Sequence, residues 1–281
     1  MSFEIVFNII VIVFTVANLA AMGLELNLRE VQNTLRSPHA IALILVLGWV
    51  IGPVLAWLII RFIPLMEAHA AGLLLISLVP TAPFFPLMVR KARGDINFAG
   101  AFMLLTTLGT VLLLPLLAPL LIKGLTVNMW SLAKPLLVLV LLPLLLGGIV
   151  RGTSPNAAEK LFPVVKKIGG VSLVLTMVLV LVLYGRDMLG AVGSFAPGAL
   201  VLFLLAITAI SYKISFGLKQ QQRSSMALGM CTRNIAAVFA AYFGITNPPP
   251  GLFVMILLVI PLAAIVAMVA ARLFARQVPT N

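Results

Sequence analysis

The sequence predicts an all-α polytopic membrane protein with about nine transmembrane helices, built as inverted repeats around two broken crossing helices. Three observations carry this prediction. The chain of 281 residues is 62% hydrophobic and only 9% charged, against about 45–50% and about 25% for a soluble domain. Its apolar runs are about 20 residues long, the length a bilayer requires, and most have no polar face. Its basic residues, Arg233 apart, fall at the ends of those runs.

The runs fall at about 3–24, 39–62, 68–89, 96–122, 133–151, 164–184, 198–218, 225–244 and 251–274. Met1-Ser-Phe-Glu-Ile5 carries no Lys or Arg ahead of the first run, so that run is expected to be a retained helix rather than a cleaved signal. The runs at 96–122 and 133–151 are divided by the polar stretch Lys123–Ser131. Alternate ends of the runs carry fourteen basic residues, among them Arg29, Arg90, Lys166 and Arg272. The opposite ends carry four: Arg61, Lys123, Lys134 and Arg186. This asymmetry predicts an outside N-terminus and a cytoplasmic C-terminus in a plasma or inner membrane. It also accounts for the net charge of +12 without nucleic acid. The single cysteine excludes an intramolecular disulfide.

Two runs are interrupted. The third contains Pro80, Pro83 and Pro86, which an unbroken helix does not accommodate. The eighth holds Gly229, Cys231, Thr232, Arg233 and Asn234 in mid-span. If spans 1–4 and 6–9 are repeats, the third corresponds to the eighth and the second repeat is inverted. The expected division is 1–122, a connecting span within 123–160, and 161–281. Paired interrupted helices in inverted repeats point to a transporter binding site.

Arg233 is the residue that most constrains function. A guanidinium at the centre of a membrane helix costs roughly 2.5–3.5 kcal/mol on insertion scales, and unlike lysine it does not shed its proton. The seven acids (Glu4, Glu25, Glu30, Glu67, Asp95, Glu159 and Asp187) all fall at span ends or in loops. The charge must be met by backbone carbonyls, by water or by an anionic substrate. Arg233, Asn234, Thr232, Thr81 and Pro83 are the candidate substrate-binding residues; Pro80, Pro86, Gly229 and Cys231 are the candidate broken-helix backbone.

Three groups of residues resemble the bile acid:sodium symporter family. They are Met22-Gly-Leu-Glu-Leu26, then Val79-Pro-Thr-Ala-Pro83 with Ala92-Arg-Gly-Asp95, and finally Arg233-Asn234 with Ala236-Ala237. The resemblance covers nearly the whole chain. It implies a panel domain and a core domain, with two broken helices crossing near the midplane of the core. Where the resemblance implies sodium-binding side chains, this sequence departs from it. The family's Glu falls on Gly229, its Gln on Arg233, its Ser-Asn pair on Phe85 and Pro86, and a further Gln near Gly48. Two unit charges about 4 Å apart repel by roughly 4 kcal/mol at an effective dielectric of 20. Sodium beside Arg233 would lose about three decades of affinity. Arg233 is therefore expected to stand in for the cation.

No convergent cluster of acid, base, nucleophile or metal ligands appears in the sequence, so the chain is not expected to be an enzyme or to carry a cofactor or metal. His39 and His69 lie at span ends and are expected to face the membrane interface. The expectation is a secondary transporter moving a small organic anion through the bilayer by alternating access. An exporter of weak acids or metalloids, or a non-transporting membrane sensor, would share the same sequence features.

Overall fold

In a computed structural model, residues 3–26, 29, 32, 34, 36–122, 128–249 and 251–277 are described. Lys123, Glu30 and the first half of the stretch dividing the fourth and fifth spans lie outside them. Among the described residues every long element is a helix. Seven helices are long and apolar enough to cross a membrane. They are α1 (Phe3–Glu25), α2 (Pro38–Phe62), α5 (Ile96–Leu121), α6 (Met129–Thr153), α7 (Pro155–Gly190), α8 (Ala196–Ile214) and α11 (Leu252–Ala275). Two interrupted segments complete the bundle: α3 (Glu67–Ser77) with α4 (Phe85–Lys91), and α9 (Gln220–Cys231) with α10 (Ile235–Phe243).

Local sequence sets many of the boundaries. Ser37 caps α2 by accepting from Ala40 N, with Pro38 in the first turn. Asp95 caps α5 through bonds from Asn97 N and Phe98 N, and Asn128 caps α6. Such side-chain acceptors satisfy the orphan donors of a first turn. α2 and α6 each widen into a π-turn, at Leu47–Ile51 and Leu137–Leu141, just before Pro53 and Pro143. Proline has no N–H for the regular ladder and crowds the preceding turn, and the extra residue relieves it.

α1, α6 and α7 pack on one another as a thin layer against the remaining helices. The α1–α6 contact is backbone on backbone. A Cβ added at Gly23 would lie 2.7 Å from Gly148 N and 2.9 Å from Gly147 Cα, so the glycine of the Met22–Leu26 motif permits this approach. α7 turns Val171, Val174, Val178 and Val182 outward, as a lipid-facing helix does.

Several expectations are corrected. The second break is confined to Thr232–Asn234, and Gly229 and Cys231 belong to the last turns of α9. Pro86 lies in the first turn of α4, where its missing N–H costs nothing. The sixth span, expected at 164–184, extends over Pro155–Gly190 because Pro163 is accommodated inside the helix. His69, in the first turn of α3, is 4% exposed with its Nδ1 3.5 Å from Ser194 Oγ, and so is buried in protein.

Candidate functional site

The two breaks meet face to face. Pro80 and Arg233 form an isolated antiparallel β-bridge. Thr81 N donates to Thr232 O at 2.8 Å, and Asn234 N donates to Val79 O at 2.9 Å. Each interrupted segment thus satisfies main-chain groups that its own helix has released. Unpaired groups at membrane depth would cost several kcal/mol each. Pro80, which has no N–H, occupies a bridge position that demands no donor from it.

The side chains of the breaks reinforce the crossing. Thr81 Oγ1 donates to Gly229 O, and Thr232 Oγ1 donates to Leu228 O and Gly229 O. Ala82 N donates to Thr232 Oγ1. Asn234 Oδ1 caps α10 by accepting from Ala237 N at 3.1 Å. The hydroxyls of Thr81 and Thr232 and the Oδ1 of Asn234, expected to contact substrate, thereby serve the scaffold. Thr81 holds φ at +74°, unusual for a β-branched residue and a local strain that the surrounding bonds hold in place.

Arg233 is 1% exposed. Its Nη1 donates to Ser77 O at 3.3 Å and its Nη2 to Met230 O at 2.5 Å. Its guanidinium carbon stands 4.8 Å from the centre of the Phe203 ring. No carboxylate among the described residues pairs with it, and its Nε has no hydrogen-bond partner. Trp49, in the π-turn of α2, donates Nε1 to Leu78 O at 3.1 Å. The ring of Phe102 lies against Gly229: a Cβ there would come within 2.6 Å of Phe102 Cζ.

Beside the crossing lies a cavity of about 640 Å³. Its walls come from α1 and α7 on one side and from α4, α5 and α11 on the other, with Ala82, Pro83, Arg233 and Ile235 at the breaks. Of the expected site residues, Arg233, Pro83 and Pro86 line it; Thr81, Thr232, Asn234, Pro80, Gly229 and Cys231 do not. Its polar lining includes Asn18, Asn97 and Lys166, none of which the sequence reading selected. Asn18 was legible as an amide inside an apolar run; Lys166 was counted only as a topology marker.

The cavity runs from the buried crossing to an exposed end marked by Lys166 and by Glu25 and Arg90, which pair at 3.7 Å between α1 and α4. Along α1, an aromatic cluster lies beyond Phe14, on the side opposite Glu25. Phe7 of α1, two turns beyond the cavity-lining Phe14, packs edge-on against Tyr184 of α7, Phe239 of α10 and Phe253 of α11. Tyr184 and Tyr242 also pack on Phe253.

The chain is 25% identical over 235 residues to a probable sodium/metabolite cotransporter (BASS2, chloroplastic) of Oryza sativa subsp. japonica, covering 81% of this chain and 55% of that protein. It is 26% identical over 148 residues to a probable sodium/metabolite cotransporter (BASS1, chloroplastic) of Arabidopsis thaliana, covering 52% of this chain and 37% of that protein. The chain therefore spans about half the length of the first relative, and less of the second. The match to the Sodium Bile acid symporter family extends over residues 10–190, from α1 to the end of α7, and by it the chain belongs to that family.

Proposed function

We propose that this protein is a secondary transporter that moves a small organic anion across a plasma or inner membrane by alternating access. The observation that carries the reading is Arg233: a permanent charge, buried at the crossing, without a carboxylate partner, on the wall of a 640 Å³ cavity. An intramembrane ionisable residue facing a cavity marks a substrate or ion path. The buried Nε of Arg233 has no hydrogen-bond partner, a spare donor for an anion that reaches the crossing. Pro83 and Ala82 form the wall beside it, and the apolar side chains of α1, α7 and α11 hold the body of the substrate. The two plant relatives, named as probable sodium/metabolite cotransporters, support the same class.

Residues 1–122 and 161–281 are read as inverted repeats joined by the span within 123–160. The pairing of α3/α4 with α9/α10 supports this division. The charge asymmetry supports a cytoplasmic C-terminus and, through Arg90 and Lys166, a cavity whose exposed end faces the cytoplasm.

The test is uptake of small carboxylates and sulfonates into proteoliposomes of the purified protein. Saturable uptake, abolished in Arg233→Gln, is expected. Preloaded vesicles distinguish import from export. No saturable flux for any anion, in either direction, would sink the transporter reading and favour a membrane sensor.

A further inference from the structure

The relatives are named as sodium cotransporters, and the crossing provides a test of whether a sodium ion fits this chain. In transporters with broken helices, coupling cations are held by unwound carbonyls and by the C-terminal ends of half-helices. Here α3 and α9 both end at the crossing, with their carbonyls directed into it. Seven carbonyl oxygens at the crossing already have donors. Ser77 O and Met230 O accept from Arg233, and Leu78 O accepts from Trp49. Val79 O accepts from Asn234 N, and Thr232 O from Thr81 N. Leu228 O and Gly229 O accept from threonine hydroxyls. No carboxylate among the described residues pairs with Arg233, and the Phe102 ring fills the space a side chain at Gly229 would need. The residues do not fit a sodium ion.

We infer that Arg233 is a tethered cation standing in the place of a coupling ion, so that the anion is translocated without sodium. The guanidinium bridges the C-terminal carbonyls of two half-helices, where a cation is electrostatically favoured. It travels with the protein and is never released. A sodium ion about 4 Å from this charge would bind about a thousand-fold more weakly than beside a neutral residue. The carrier is then a uniporter or an exchanger of anions. The coupling claim rests on the transport reading above; the claim that the cation position is filled does not.

The experiment has two independent readouts on the full chain: thermal unfolding of the purified protein and proteoliposome uptake. Each is run in sodium, choline and millimolar guanidinium at constant ionic strength. For the wild type, exchanging sodium for choline is expected to leave the unfolding temperature unchanged and uptake within about two-fold, the scale of a general ionic effect. In Arg233→Gln the freed Ser77 and Met230 carbonyls are expected to give saturable stabilisation by sodium or guanidinium that choline does not reproduce. Arg233→Lys, which keeps a tethered charge, is expected to behave as the wild type and serves if the glutamine variant does not fold. Saturable sodium-specific stabilisation of the wild type, or a ten-fold or greater sodium dependence of its uptake, overturns the inference (about 1.4 kcal/mol). So does a folded Arg233→Gln that responds to no cation. Absence of uptake in every salt defeats the transport reading alone, because the unfolding measurements still report on the cation position.

Discussion

Replacing Phe7 with alanine is expected to loosen the aromatic cluster beyond Phe14. Phe7 is 2% exposed and meets Tyr184, Phe239 and Phe253 at centroid distances of 5.9, 6.4 and 5.9 Å, with interplanar angles of 63°, 86° and 87°. The Tyr184 contact lies within the thin helix layer, whereas the Phe239 and Phe253 contacts join α1 to α10 and α11 across its boundary. Each edge-on pair contributes about 0.5–1.5 kcal/mol beyond its area, so the two that cross contribute about 1–3 kcal/mol. Their loss is expected to raise the ratio of open to closed forms by about five- to 150-fold. The assay uses a Cys231→Ser background, which removes the single native thiol, and a reporter at Ile235→Cys on the cavity wall. A membrane-impermeant maleimide is applied from the aromatic side. Labelling at least about five-fold faster in the Phe7→Ala form is expected. Unchanged labelling with a lowered melting temperature would show that the rings hold the fold together without sealing the cavity.

Other substitutions probe the packing and the site. Gly170 lines the cavity, and an added Cβ meets no atom within 4 Å. Gly170→Leu should leave the melting temperature unchanged or higher, while inhibition by bulky carboxylates weakens about 10- to 200-fold per overlapped methylene; equal inhibition across a homologous acid series would place the substrate elsewhere. Gly23→Ala drives a methyl into the α6 backbone and should destabilise by about 1–3 kcal/mol, whereas Gly100→Ala, which meets nothing within 4 Å, serves as the neutral control in the same melting assay. Asp95 caps α5, accepts from Gln222 Nε2 through its other oxygen, and accepts from Ser225 Oγ through its carbonyl. Asp95→Ala should cost about 0.5–2 kcal/mol, read as a lower unfolding temperature, and Asp95→Asn should recover part of it.

Both breaks were legible, for different reasons and to different extents. Pro80, Pro83 and Pro86 announced the first by density, since Pro115, Pro119, Pro163 and Pro261 each sit inside helices that continue. Neighbouring helices absorb one proline; three within seven residues leave too many groups unpaired. The second break contains no proline and was found from Thr232, Arg233 and Asn234 in an apolar run. Its extent was overdrawn at Gly229 because a mid-helix glycine costs only about 1 kcal/mol, and here it makes room for the Phe102 ring. The buried charge was evident from Arg233 alone; its surroundings were not. Phe203 is one of sixteen phenylalanines, and nothing local distinguishes it from those that face lipid. Trp49 reaches Leu78 O only because the chain folds α2 against α3. The threonines were misjudged because a hydroxyl beside a break can serve substrate or backbone equally well until the partner strand is in place.

The crossing also bears on how such a chain can change over time. Its hydrogen bonds, as described, are made by the two interrupted segments and by Trp49; none draws on α1 or α7. The walls those two helices give to the cavity, at Met22, Leu173 and Met177, carry no hydrogen-bond duty toward the crossing. Mutational drift on that side can redraw the shape of the chamber while the charged base stays fixed. Chamber wall and joint thus fall to different helices, and drift in the one need not disturb the other.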